Sequence, residues 1–226
     1  MFPFIKFYNL TSKGFLDKVY PYRKTLPKEL RENLVKYFLN PNNQSNKKSK
    51  GIDSRIIAIQ HAELISKWID KLEITDEMKN PYEFKLILRG SRDGFSPNKF
   101  HEICDNQPHT IAIIKVKDNS EILGGYNPII WKSDGNYGVT KDSFIFSFKS
   151  KSNVKNYVLS QVIEEELAIC NMVDFGPTFG FDDLAIFGTD FYSGSCCNRS
   201  DYEKEIRETN DEFSVEEYEI FQIMKD

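Results

Sequence analysis

From Tyr82 onward the apolar side chains recur with a period of two, the spacing of residues that share one face of a β-strand. Phe84, Leu86 and Leu88 fall on one side of the first such run and Glu83, Lys85 and Arg89 on the other, with Ile87 breaking the alternation. Further runs follow at Thr110–Val116, Glu121–Tyr126, Ser143–Lys149, Leu184–Phe187 and Glu217–Ile223, separated by turn residues such as Lys117-Asp118-Asn119-Ser120. In the last run Tyr218 and Ile220 oppose Phe221 and Ile223, which predicts that both its faces are covered. Short strands joined by turns, with helices before them and no βα alternation, predict an α+β fold that is mainly β. The expected architecture is an antiparallel two-sheet β-sandwich flanked by helices and preceded by a short helical segment. The chain holds 18 Phe and 11 Tyr, a bias that suits pleated surfaces. Phe84, Phe144, Phe146, Phe148 and Phe221 are expected inside the sandwich. Between the runs, residues 153–171 leave open whether Val158 to Ile169 is a helix.

The rest of the chain divides by composition. Leu30, Leu34, Tyr37 and Phe38 fall at helical spacing behind Pro27, and a shorter helix with Phe15, Leu16 and Val19 on one side is expected to end near Pro21. Residues 40–51 contain no apolar side chain and cannot offset their ordering entropy by burial. The predicted organisation is therefore a helical stub over 1–39, a polar linker over 40–51 and a sandwich domain over 52–226. In that domain Arg55–Ile59 reads as a short strand, and Leu64, Ile65, Trp68, Ile69 and Leu72 read as an amphipathic helix. A second helix starts at Pro97 behind a Ser96 cap, with Phe95 and Phe100 at the spacing of a hydrophobic staple, and runs to about Asp105. Gly124 and Gly125 mark a bulge or a close backbone contact.

Charge and motif grammar exclude several functions. Thirty basic against 34 acidic side chains give a net −4, so no electrostatic surplus favours nucleic acid. No apolar run reaches the ~18 residues of a membrane span, and Lys6 interrupts the apolar start, so neither a span nor a secretory signal is expected. Four cysteines without CxxC spacing fit a reducing compartment, and a cytoplasmic location is expected. His101 and Cys104, at i and i+3, allow a zinc site to be drawn, yet a fourth ligand is not identifiable. The reading adopted is a buried Cys104 with an exposed His101 beside it. Cys196 and Cys197 lie in a Ser- and Gly-rich loop and read as an exposed pair without an activating base. Glu164-Glu165-Glu166, Asp182-Asp183 and Glu216-Glu217 read as solvated edges. No catalytic, cofactor-binding or metal residue is assigned.

Several segments in order carry a resemblance. Leu86 to Ser96 (LILRGSRDGFS), Phe100, Cys104-Asp105-Asn106, Ile113-Ile114-Lys115, Ile122 to Tyr126 (ILGGY) with Trp131, Asp142 to Phe148, Phe175 to Ile186, and Glu217 to Phe221 together resemble the TLDc domain over roughly 54–223. Residues 1–39 resemble the end of a BACK domain, the element that follows BTB in Kelch-like adaptors. The TLDc resemblance implies a two-sheet sandwich, a role in resistance to oxidative stress, and binding to the vacuolar proton-pumping ATPase as protein partner, without an established catalytic set. The BACK resemblance implies an alternative, a fragment of a substrate adaptor for a cullin-based ubiquitin ligase. Cullin binding is not expected of a sequence with no BTB domain. A thiol-based antioxidant enzyme is the third reading. Of the family-signature residues, Asp93, Gly94, Gly124, Gly125, Tyr126, Trp131 and Glu219 are expected to be structural, while Arg89 and Arg92 are candidates for partner contact.

Overall fold

Antiparallel pairing organises the strands into two sheets, as the alternating runs require. The computed structural model describes residues 15, 16, 18–39, 52–75 and 82–225, which fall in two compact units, 1–50 and 51–226. In the first unit Phe15, Val19 and Leu34 are buried together, the last on a helix over Lys28–Leu39 (α1). Leu16 is exposed and does not share that side. The α-helical residues 15, 16 and 18 give way at Val19 to a turn and then to a 3-10 helix over Tyr20–Thr25, so the α-helix ends near Pro21 as expected, and the fixed φ of Pro21 suits the first turn of the new segment. Residues 40–51 and the side chains of Tyr37 and Phe38 lie outside the described residues.

In the second unit the strands are Glu83–Arg89 (β1), Thr110–Val116 (β2), Ile122–Asn127 (β3), Tyr137–Gly138 (β4), Phe144–Phe148 (β5), Tyr157–Gln161 (β6), Ile169–Cys170 (β7), Phe175–Phe179 (β8), Leu184–Phe187 (β9) and Val215–Met224 (β10). One sheet has the order β1-β10-β2-β3-β5-β6 and the other β4-β7-β8-β9. Helices cover Ile59–Ile69 (α2), Gly90–Asp93 (α3, one turn) and Pro97–Cys104 (α4). Ser96 caps α4 by accepting a hydrogen bond from the Lys99 amide, as its sequence predicts. The open segment 153–171 is strand β6, a 3-10 turn over Glu165–Leu167 and strand β7, and not a helix: β6 pairs with β5 along its whole length.

Both faces of the six-stranded sheet are buried. Ala112, Ile114, Leu123, Ile145, Tyr218 and Ile220 meet Ile169, Phe179, Leu184 and Ile186 of the smaller sheet. On the opposite face Ile111, Ile113, Phe144, Phe146, Phe148 and Phe221 lie under Ile65 and Trp68 of α2. The phenylalanines expected between the sheets thus form a second core, with the Trp68 ring centroid 5.4 to 6.0 Å from those of Phe144, Phe146 and Phe148. Helix α2 begins at Ile59, and the expected strand over Arg55–Ile59 is absent for a reason given below.

Gly124 and Gly125 resolve to close contact. They pair regularly with Ile113 and Ala112 and carry no bulge. A Cβ on Gly125 would stand 2.5 Å from Cζ of Phe179 on the facing sheet, and one on Gly124 would press into the Phe146 ring. Each glycine therefore lets a buried aromatic ring rest on bare backbone. Gly125→Ala forces the Phe179 ring away and is expected to destabilise the domain by about 1–3 kcal/mol, read as a lower urea midpoint at unchanged m-value.

Candidate functional site

The alternation of β1 fails at one place, and the failure builds the site. The pairing of β1 with β10 slips between Leu86 and Leu88, leaving Ile87 as the extra residue of a bulge. Phe84 and Leu86 pack on the α2 side, and Leu88, expected beside them, is turned to the inter-sheet core. The next residue, Arg89, is thereby returned to the α2 side, directly opposite Glu219 of β10. A bulged strand in place of a regular one is what brings this pair together. The side chain of Arg92 holds the bulge, its Nη2 donating to the Ile87 carbonyl at 3.0 Å.

Arg89 Nε donates to Glu219 Oε1 at 2.8 Å, and the two side chains are 9% and 0% exposed. Arg89 Nη2 also donates to the Asp53 carbonyl at 2.8 Å and to its carboxylate at 3.0 Å. Glu219 Oε1 accepts from the Arg55 amide at 2.9 Å, and Oε2 from the Ser54 hydroxyl at 2.5 Å. Ser54 Oγ in turn accepts from the amides of Ile56 and Ile57. The backbone donors of 55–57 are therefore satisfied by two side chains, which removes the need for a partner strand and explains why no strand forms there. Ile56 and Ile57 are seated in the core beside α2 as a result. Burial opposes the Arg89 charge, but hydrogen bonds to Glu219 and Asp53 more than offset it and hold its pKa above the ordinary value.

The turn after β1 is fixed by the same residues. Asp93 Oδ2 accepts from the Arg89 amide at 2.8 Å, and both its oxygens accept from Arg92 Nε. Hydrogen bonds from Arg92 hold the Asp93 carboxyl below its usual range against a partial burial that works the other way. Gly94 has φ of +117°, a conformation that side chains resist, and its carbonyl accepts from the buried Tyr218 hydroxyl at 3.0 Å. A Cβ on Gly90 would stand 2.7 Å from both Phe95 and Tyr218, a constraint that the sequence did not single out. Arg55 and Arg92, beside these buried groups, reach solvent, with side chains 67% and 48% exposed.

The remaining signature residues lie elsewhere. Trp131 is buried, donates from Nε1 to Thr110 Oγ1 at 2.7 Å, and packs edge-on against Phe100 and Phe179. Tyr126 is buried beside Phe144, with its hydroxyl 3.1 Å from His109 Nδ1. His101, expected to be exposed, is largely buried: Nδ1 lies 2.8 Å from Asp105 Oδ1 and Nε2 lies 3.2 Å from the Met172 carbonyl. Cys196 and Cys197 are buried and not exposed, and all four cysteines are free. Burial pushes the Cys196 thiol up to about 11 and raises those of Cys104, Cys170 and Cys197, which disfavours the thiolate needed for nucleophilic chemistry. Among the described residues no three His, Cys, Asp or Glu side chains are grouped to hold a metal. Asp183, read as part of a solvated edge, is instead 2% exposed and accepts from the amides of Ser200, Asp201 and Tyr202.

A two-sheet sandwich in which buried charge anchors the entry segment to an interior strand, with its glycines admitting aromatic rings, defines a compact β-module whose polar groups serve its own fold. The family model of the TLDc domain matches residues 51–224, the whole of this unit but its last residues, and the chain belongs to that family. No curated protein matches the sequence.

Glu219→Ala leaves Arg89 buried without its main partner and is expected to cost about 3–5 kcal/mol of unfolding free energy. Arg92→Ala, at a half-exposed ion pair, is expected to cost roughly 1 kcal/mol or a little more, because the Ile87 carbonyl also loses its donor. Equal losses in urea denaturation of the two variants would remove the distinction between the buried and the exposed arginine. The Asp93 contribution, from a carboxyl whose folded pKa is lowered, is present above its unfolded value near 3.9 and is lost as pH falls through the folded value. Asp93→Asn should therefore lower stability at pH 7 and reduce the further loss on acidification below about pH 4.

Proposed function

We propose that this protein is a non-enzymatic, cytoplasmic protein-interaction module of the TLDc type, which binds the vacuolar proton-pumping ATPase and contributes to resistance to oxidative stress. The family match over 51–224 carries the reading. Two features of the geometry support a binding role over catalysis. The charged signature residues are hydrogen-bonded to one another and to backbone, with Glu219 fully enclosed. The thiols that peroxide chemistry would use are buried and held in their protonated form. No helix among the described residues is long and apolar enough to cross a membrane.

Affinity capture from cell extract with the folded chain as bait is expected to recover subunits of the vacuolar ATPase. A bait that unfolds cooperatively, and so is demonstrably native, but recovers none of them would overturn that partner.

A further inference from the structure

Four large apolar side chains stand in solvent at one end of the smaller sheet. Val139 is 61% exposed, Ile163 48%, Leu167 37% and Phe181 64%. They come from separate segments, and the backbone brings them together. The register Gly138↔Ile169 and Ile169↔Phe179 places Val139, Leu167 and Phe181 at the same sheet end. The Thr140 amide bonds the Glu165 carbonyl and the Gly180 amide bonds that of Ala168, each at 3.0 Å. The buried Asp201 adds Ile163: its carbonyl accepts from the amides of Ile163 and Glu164, and its carboxylate accepts from the Phe181 amide at 2.7 Å. Asp201, 4% exposed, thus ties together the backbone at two exposed apolar residues. Isolated surface apolars need no explanation, but a group fixed in this way marks a site of association.

The charged residues that adjoin the four apolar residues in sequence are mostly acidic: Glu164, Glu165 and Glu166, all exposed, and Asp182, against the exposed cation Lys141. Apolar side chains with acidic neighbours complement a segment whose apolar face is bordered by lysine or arginine. A second copy of the same surface would set like charges against each other, and an anionic bilayer would be repelled. We propose that Val139, Ile163, Leu167 and Phe181 form a docking surface for a basic amphipathic segment of a protein partner, which specifies the contact within the interaction reading above and rests on it.

The test is a titration of the isotope-labelled full chain, followed by amide chemical shifts, with three synthetic peptides: an amphipathic Lys/Leu peptide, its Glu/Leu counterpart and a Lys/Ser peptide. The Lys/Leu peptide is expected to shift the amides around 139, 163, 167 and 181, with affinity falling as salt rises. The double variant Ile163→Ser with Phe181→Ser should weaken it by about tenfold or more while leaving shifts elsewhere in place, since both side chains are exposed. Glu164→Lys with Glu166→Lys should transfer the preference to the Glu/Leu peptide. Shifts centred elsewhere, equal binding of the Glu/Leu peptide, or adsorption to phosphatidylcholine–phosphatidylserine vesicles without peptide binding would each overturn the proposal. Undiminished capture of vacuolar ATPase subunits by the Ser variant would overturn this surface while leaving the interaction reading intact.

Discussion

The ion pair between Arg89 and Glu219 sits where three parts of the domain meet: the end of β1, the middle of β10 and the segment that leads into α2. Glu219 is fully enclosed and Arg89 nearly so, and each is held by the other and by the neighbouring hydrogen bonds. Ser54, Asp53 and the Arg55 amide supply those bonds, and by doing so fix the path of the chain across the sheet face. The second hydrophobic core depends on this, because α2 can press Trp68 onto Phe144, Phe146 and Phe148 only if its entry segment is anchored. An apolar pair at these positions could fill the space but could not accept from the Arg55 amide or the Ser54 hydroxyl. The charge here confers a specific backbone path more than net stability.

How far the sequence showed this follows from the range of each interaction. Strand β2 was legible residue for residue, as was the Ser96 cap, because a short apolar run bounded by turn residues and a cap both act within a few positions. The span 153–171 was ambiguous because β6 is half-buried and followed by three glutamates, a pattern that fits a solvated helix equally well; its pairing with β5 decides it. Leu88 was assigned to the wrong face for a related reason. Ile87 announced a break in alternation, but only the partner strand shows that the break is a bulge that turns Leu88 over. The bond between Ser54 and Glu219 spans 165 positions and left no local signal at all. Glu219 entered only as a family-signature residue, and Asp201, which organises an exposed surface, was not singled out.

The division between spent and available charge shapes the functional reading. Arginines in a loop between a strand and a helix suggest contact with a partner, yet Arg89 points inward and Arg92 closes the bulge and binds Asp93. Exposed apolar residues lie far from that loop in sequence, among them Val139, Leu167 and Phe181 just beyond the ends of β4, β7 and β8. A module of this kind can keep its signature residues invariant to partner, since they hold the scaffold, while the displayed ends of strands carry selectivity.

Strand β10 is made of residues 215–224, yet it lies between β1 and β2, whose residues are synthesised more than a hundred positions earlier. The larger sheet therefore cannot close until β10 itself has been synthesised. Until that late segment arrives, β1 and β2 present open edges and Arg89 has no carboxylate to meet. Folding of the domain consequently depends on pairings of high contact order and is slow by the standard of helical domains.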